Sequence, residues 1–285
     1  MEQETLMDIK ERAQKPNSNI PHPFLKWAGS KRYLLKHIVD SLPKNFNSYR
    51  EPFLGSGALF FLLNPTKAML SDTNAELINT FAAIRDNVES VIEYIQPLKP
   101  NKTLFYKIRN QRSVGKYKRA AEFIYLNKSC WNGLYRVNSK GVFNVPYGSP
   151  KSDVIASLEN LRACSKSLNS ENVQLSTCDF EESLSKAQKG DLVYLDPPYV
   201  TSHSNNGFIE YNEKIFSWAD QVRLANIAKD LVASGVYVIA SNANHKEVLK
   251  LYQGFAKKEI FRNSTLASDV TKRGVVSEVL LVSQK

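Results

Sequence analysis

The most specific chemical signal in the chain is Asp196-Pro197-Pro198-Tyr199, which directly follows the apolar run Val193-Tyr194-Leu195. Two prolines at that point end a strand ladder and hold the backbone carbonyls in one direction. The Asp196 carboxylate and the Pro197 carbonyl are then two acceptors on a stiff corner, suited to both N–H bonds of an amino group on an aromatic base. Such an amine is a poor nucleophile because its lone pair is delocalised into the ring. Accepting both N–H bonds localises the pair and stabilises the positive charge that develops on nitrogen. Tyr199 adds a ring on which a base can stack.

Three more acidic or glycine-rich signals end expected strands: Glu51-Pro52-Phe53-Leu54-Gly55-Ser56-Gly57, Ser71-Asp72 and Cys178-Asp179-Phe180. In open α/β sheets the ligand lies beyond the carboxyl ends of the strands, so these residues belong around one crevice. The glycine motif lacks the third glycine of the dinucleotide fingerprint. Asp72, about twenty residues on, is placed to hold a ribose diol. A nucleoside without a pyrophosphate fits that pair, and S-adenosylmethionine is such a molecule: its adenosine needs the carboxylate, and its methionine end needs a close backbone free of side chains.

The elements that must position these groups are read from short apolar runs and the turn signals between them. Extended segments are expected at Ser48–Phe53, Lys67–Asp72, Val173–Thr177, Asp191–Asp196, Val236–Ala240, Lys258–Phe261 and Val275–Val282. Helices are expected at Lys31–Ser41, Ala58–Leu63, Asn74–Arg85, Glu181–Lys189 and Phe216–Ser234. Alternation of this kind predicts an open, mainly parallel α/β sheet with helices on both faces. It breaks once, where a helical, basic block is followed by an Asn138-Ser139-Lys140-Gly141 turn flanked by Leu134–Val137 and Val142–Val145, the pattern of a β-hairpin. The expected organisation is a flexible tail at residues 1–20, a main domain from 21–86 and 167–285, and an inserted domain at 87–166.

Charge separates the same parts. The 285 residues carry a net charge of +10, yet between Lys99 and Lys151 twelve Lys and Arg face one acidic residue, Glu122. That block holds the whole imbalance and interleaves it with Tyr106, Tyr117, Phe123, Tyr125, Trp131, Tyr135, Phe143 and Tyr147. Basic side chains for phosphates with aromatics for bases is the composition of a nucleic-acid surface. A base inside a duplex cannot reach the Asp196 corner, so the target nucleotide must be extruded, and Trp131 is a candidate wedge for the gap. The three cysteines are scattered and form no Cys-x-x-Cys pair, and no histidine sits in a metal-ligand pair; neither a disulfide framework nor a metal is expected. No Walker-type lysine motif is present, so no nucleoside triphosphate is expected either. Residues 1–19 have no apolar core and no run approaches the ~18 apolar residues of a span, so a cytoplasmic, DNA-associated protein without membrane contact is expected. For want of a dimer seam it is read as a monomer.

With these residues in place, the chain from about Pro23 onward resembles the Dam family of DNA adenine-N6 methyltransferases and its restriction-modification relatives. Phe24-Leu25-Lys26-Trp27-Ala28-Gly29-Ser30-Lys31 looks like the family's N-terminal cofactor motif, Glu51–Gly57 its glycine motif, Ser71-Asp72-Thr73-Asn74 its ribose-binding motif and Asp196–Tyr199 its catalytic motif. The resemblance implies a doubly wound, Rossmann-like methyltransferase sheet with the inserted block as DNA-recognition domain. It places Trp27, Lys31, Phe53, Gly55, Gly57, Asp72, Asp179, Phe180 and Asp196 around S-adenosylmethionine, and Asp196, Pro197, Pro198 and Tyr199 on a flipped adenine in double-stranded DNA. Lys26 matches a position that reads a guanine 5′ to that adenine. Leu126 to Gly148 resembles the recognition hairpin, with Trp131 as the intercalating aromatic and Asn132, Leu134, Arg136 and Asn138 at DNA contacts. Members that read GATC usually follow this hairpin with Arg-Tyr-Lys; here the run is Ser149-Pro150-Lys151. The resemblance therefore implies adenine after guanine and does not carry GATC itself. Two alternatives stay open at this point: methylation of RNA or another exocyclic amine, and a DNA-binding relative whose site is idle. The Ser- and Asn-rich loop Thr201–Tyr211 is expected to order over substrate, and the Asn263–Gly274 loop to touch phosphate.

Overall fold

The structure is a computed structural model, and the residues it describes are 6–14, 20–27, 32–111, 113–199, 216–263 and 275–284. In chain order its elements are α1 (Leu6–Gln14), a 3-10 turn (Arg32–Leu34), α2 (Leu35–Val39), β1 (Tyr49–Glu51), α3 (Ala58–Leu63), β2 (Lys67–Asp72), α4 (Ala75–Ile95), α5 (Lys102–Asn110) and α6 (Lys116–Ser129). A second 3-10 turn (Trp131–Gly133) leads to α7 (Leu158–Leu168), β3 (Asn172–Thr177), α8 (Phe180–Leu184), β4 (Leu192–Leu195), α9 (Trp218–Ala233), β5 (Tyr237–Ala243), α10 (Lys246–Leu251), β6 (Ala256–Asn263) and β7 (Val275–Val282). The fold is mixed α/β, and the chain forms two compact units, residues 1–35 with 54–178 and residues 36–53 with 179–285. Among the described residues, no helix is long and apolar enough to cross a membrane.

The first unit holds β2 and β3, parallel and in register from Lys67 opposite Asn172 to Asp72 opposite Thr177. Helix α4 is capped by Asn74, whose side chain accepts from the backbone N–H groups of Glu76 and Leu77. It was expected to stop at Arg85 but runs to Ile95 across a kink at Asn87 (φ −158°), where the Asn87 side chain accepts the Ser90 N–H at 3.0 Å and so restarts the helix. Arg119 of α6 clamps Glu76 of α4 through two nitrogens, tying the basic helix to the capped end of α4.

Two expectations for this unit are corrected. Residues 6–14, assigned to a flexible tail, form α1: Ile9 is buried and Arg12 Nη1 donates to the Leu62 carbonyl at 3.3 Å. Both contacts lie on one face of the helix, and a mixed-charge segment conceals them. The hairpin forms, but only as a short pairing, in which Asn144 N–H donates to the Arg136 carbonyl at 3.0 Å. Val137 bridges Phe143, and Asn138 N–H donates to the Val142 carbonyl at 2.9 Å, but no strand forms among these residues. The returning arm is drawn instead to the end of α6, where Tyr147 bridges Cys130 and the Pro146 carbonyl accepts from Trp131 N–H.

Among the described residues the second unit holds five strands in the order β1-β4-β5-β7-β6. β1, β4 and β5 pair in parallel, whereas β7 is antiparallel to both β5 and β6. The mainly parallel pairing that was expected is seen at β1, β4 and β5 and again at β2 and β3; β7 alone runs against its neighbours, and apolar periodicity does not encode that direction. All four residues of β4 are buried, the continuous apolar run of a central strand. Val193, Leu195, Val238, Ala240, Val279 and Leu281 pack with Leu224, Ala225 and Ala228 of α9, and each larger aliphatic contributes about 1.5–3 kcal/mol on burial. α9 starts at a capping box in which Ser217 and Asp220 each accept the other's backbone N–H. α8 ends at Leu184 rather than Lys189, one turn after its Asp179 cap.

Candidate active site

In the second unit the two prolines release the chain from β4 and leave Asp196 half-buried beside the neighbouring strand β5. Because Leu195 pairs with Ala240, the next residues along these parallel strands, Asp196 and Ser241, fall side by side. Ser241 Oγ donates to Asp196 Oδ1 at 2.7 Å, and the Tyr194 hydroxyl lies 3.1 Å from Ser241 Oγ. The Tyr199 hydroxyl donates to Glu278 Oε2 at 2.9 Å. Glu278 is buried on β7, opposite Ala243 of β5. On β1, Tyr49 donates to Glu51 Oε2 at 2.9 Å. Burial, with the carboxylates of Glu51 and Asp196 nearby, pushes the Tyr49 phenol well above its usual range, so it stays a donor at neutral pH.

Asp179 and Phe180 share this unit. Asp179 caps α8 by accepting the Glu181 N–H at 3.0 Å, and its other oxygen pairs with Arg223 at 3.0 Å. The Arg223 guanidinium lies 4.2 Å from the centre of the Phe180 ring while also pairing with Glu181 and Asp220. Phe180 in turn packs on Phe53 and Phe216, with ring centres 5.6 and 5.9 Å away. The aromatic set Phe53, Phe180 and Phe216 is thus braced from one side by a paired arginine, which sequence reasoning did not single out.

In the first unit the glycine turn docks on the end of β2. Leu54 N–H donates to the Ser71 carbonyl at 3.0 Å and Gly55 N–H to Asp72 Oδ2 at 3.2 Å, while Asn74 N–H reaches Asp72 Oδ1 at 2.9 Å. Gly55 has φ +48°, and a Cβ there would lie 3.0 Å from Trp27 Cδ1, so only glycine lets the indole come so near the backbone. Burial raises the Asp72 carboxyl above its usual range, against the backbone N–H groups of Asn74, Gly55 and Thr73. Trp27 stacks on Tyr135 with centres 5.5 Å apart and planes 21° from parallel. A carboxylate at a strand end with acceptor capacity beyond its backbone partners, a half-buried glycine at the turn and a flat indole fit the ribose and base of an adenosine. Gly57 caps α3 at φ +65°. Lys31 and the loop Thr201–Tyr211 lie outside the described residues, as do residues 264–274 of the second loop.

The positions expected to meet nucleic acid in this unit are joined by a residue to which the sequence assigned no role. Asn127 of α6, only 2% exposed, accepts from Lys26 N–H at 2.8 Å and donates through Nδ2 to the carbonyls of Lys26 at 2.6 Å and Gly133 at 3.2 Å. That amide fastens the segment bearing Lys26 to the turn bearing Trp131 and Asn132. Trp131 is 44% exposed, Lys26 and Asn132 are exposed, and Leu134 is half-buried. Arg136 is exposed with Nε donating to Asn144 Oδ1 at 2.8 Å, and Asn138 Oδ1 accepts from Lys140 and Val142 N–H, each at 3.0 Å. Asn138 therefore shapes the tip of the loop itself. The missed residues Asn127, Ser241 and Glu278 share one signal: a polar side chain set within an otherwise apolar helix face or strand, where burial demands a partner.

A half-buried acid at a proline corner in one unit and a glycine turn closing on an acidic strand end in the other are the features expected of an S-adenosylmethionine-dependent amino-methyltransferase. The chain belongs to the D12 class N6 adenine-specific DNA methyltransferases, whose family model matches residues 27–266. It is 38% identical over 278 residues to the type II methyltransferase M1.LlaDCHI of Lactococcus lactis subsp. cremoris, covering 95% of this chain and 98% of that one. It is 36% identical to the type II methyltransferase M.MjaIII of Methanocaldococcus jannaschii, covering 91% and 98% respectively. With the DNA adenine methylase of Haemophilus influenzae the identity is 31%, covering 96% and 98%. The protein is an adenine-specific DNA methyltransferase, of a family that draws its methyl group from S-adenosylmethionine.

Proposed function

We propose that this enzyme methylates N6 of a flipped adenine lying after guanine in duplex DNA, and that Asp196, Pro197, Pro198 and Tyr199 carry the transfer. Asp196 and the Pro197 carbonyl accept the two amino N–H bonds, turning the nitrogen lone pair out of the ring, and Asp196 stabilises the charge that grows on nitrogen. Pro198 stiffens the corner, and Tyr199 stacks on the base. S-adenosylmethionine, when bound, supplies an electrophilic methyl group. In the first unit Trp27, Lys31, Gly55, Gly57 and Asp72 serve the cofactor; in the second, Phe53, Asp179, Phe180 and Asp196 do so. The inserted block 87–166 of a doubly wound methyltransferase sheet is the DNA-recognition domain. There Lys26 reads the guanine, Trp131 fills the vacated stack, and Asn132, Leu134, Arg136 and Asn138 contact DNA. The enzyme works as a cytoplasmic monomer.

The observation that supports this reading above all is the hydrogen bond that fixes the Asp196 carboxylate at the proline corner. The test is to express the protein in a host lacking adenine methylation and map modified adenines by sequencing, beside Asp196→Asn. Modified adenines in one short GA-containing context, lost by a factor of at least about 100 in Asp196→Asn, are expected. Adenines modified without a guanine before them, or normal turnover by the variant, would overturn the proposal.

A further inference from the structure

Ser241 sits in the middle of β5 with no exposed surface, between Ala240 and Asn242. A buried hydroxyl on such a strand needs partners, and replacing it by an apolar residue is often neutral or even stabilising when its partners can do without it. Its partners are the Asp196 carboxylate at 2.7 Å and the Tyr194 hydroxyl at 3.1 Å. A serine hydroxyl has one hydrogen. Once that hydrogen is given to Asp196, the Tyr194 contact must run the other way, with the phenol donating to Ser241 Oγ. The two hydroxyls therefore form a directed chain, Tyr194 to Ser241 to Asp196, whose last donor meets the charged form of the acid.

We infer that Ser241, oriented by Tyr194, is a positioning residue that sets the rotation of the Asp196 carboxylate toward the amino group of the target base. Holding Oδ1 fixes the torsion about the carboxylate's bond to Cβ, and with it the direction of Oδ2. Charge-assisted bonds are about twice as strong as neutral ones and correspondingly directional. The inference rests on the role proposed above for Asp196. Ser241 touches no reacting atom, so its loss should appear in turnover while binding is spared.

The test uses the full chain with an oligonucleotide duplex carrying the mapped site. Single-turnover rates, the affinities for duplex and for S-adenosylmethionine, and urea unfolding are measured for Ser241→Ala, Ser241→Thr, Tyr194→Phe, the Ser241→Ala/Tyr194→Phe double variant and Asp196→Asn. Ser241→Ala should lose about ten- to a hundredfold in rate, with both affinities within about threefold of the parent. Ser241→Thr, which keeps the donor, should recover most of that loss. Tyr194→Phe should lose less than Ser241→Ala, and the double variant should be no slower than Ser241→Ala alone, because the two hydroxyls act through one bond. A folded Ser241→Ala at the parent rate while Asp196→Asn is inactive overturns this inference alone, as does a loss that Ser241→Thr fails to restore. Full turnover by Asp196→Asn overturns the reading beneath it.

Discussion

Replacing Asn127 by aspartate changes one NH2 group into an oxygen and almost nothing else in shape. In the native protein Oδ1 accepts from Lys26 N–H at 2.8 Å, and an aspartate retains that bond. Nδ2 donates to the carbonyls of Lys26 at 2.6 Å and Gly133 at 3.2 Å; an aspartate oxygen there faces two carbonyl oxygens instead. Two bonds are lost, the buried Gly133 carbonyl and the part-buried Lys26 carbonyl are stranded, and a negative charge is placed against them at a site 2% exposed. The expected cost at neutral pH is about 3–5 kcal/mol, a large part of a domain's stability. Asn127→Ala loses all three bonds but buries no charge, so its cost should be smaller, about 2–4 kcal/mol. The assay is urea unfolding of the three proteins at several pH values. Repulsion raises the pKa of the introduced carboxyl in the folded state above its unfolded value. Its penalty is therefore full above the folded pKa and fades as the pH falls toward the unfolded one. An Asn127→Asp variant within about 1 kcal/mol of the parent at neutral pH, or a deficit that does not shrink on acidification, would refute the reasoning.

The same junction makes Gly133 intolerant of a side chain: at φ +64° an alanine Cβ would lie 2.4 Å from Lys26 Cβ. Gly133→Ala should therefore cost at least about 2 kcal/mol in urea unfolding, and a cost under about 0.5 would sink that view. Asp72→Asn should weaken S-adenosylmethionine binding by calorimetry about tenfold or more, since a neutral amide is a poorer acceptor for a diol, while duplex affinity stays put. Burial pushes the Cys130 thiol up to about 11, so iodoacetamide at about pH 8.5 should leave it unmodified in the native state and alkylate it rapidly in urea. By linkage its contribution to stability is complete below the unfolded thiol pKa and is lost as the pH rises toward about 11. Fast native labelling would contradict this.

The elements legible in the sequence were those whose ends carry chemistry of their own. β2 and α3 run Lys67–Asp72 and Ala58–Leu63, the spans expected from a short apolar run closing on an aspartate and from an apolar run between Gly57 and Asn64. α9 begins and ends within two residues of expectation because Ser217 and Gly235 punctuate it. What failed to show was decided at a distance. The direction of β7 depends on its pairing with β5 and β6, and the shortness of the hairpin depends on Tyr147 being held by Cys130. The extension of α4 past Arg85 depends on one asparagine turning its own side chain into a second cap. None of these is a property of a window of residues.

The motif proposed to carry the transfer divides in the same way. Asp196 and its prolines announce themselves because backbone chemistry at a strand end is local, whereas Ser241 and Glu278 acquire their partners only when β5 lies against β4 and β7. Each is a polar residue inside a run that otherwise reads as buried strand: Ser241 follows Val238-Ile239-Ala240, and Glu278 precedes Val279-Leu280-Leu281. Left unpaired at such depth, each would cost the fold several kcal/mol, carboxylate more than hydroxyl. Their placement beside the motif resolves that cost, and it does so by spending each on a named atom: Ser241 on Asp196 and Glu278 on Tyr199. The acid and the ring assigned to the base are thus each held by a group buried deeper than they are, which lets a corner open to substrate keep a fixed geometry before any base arrives.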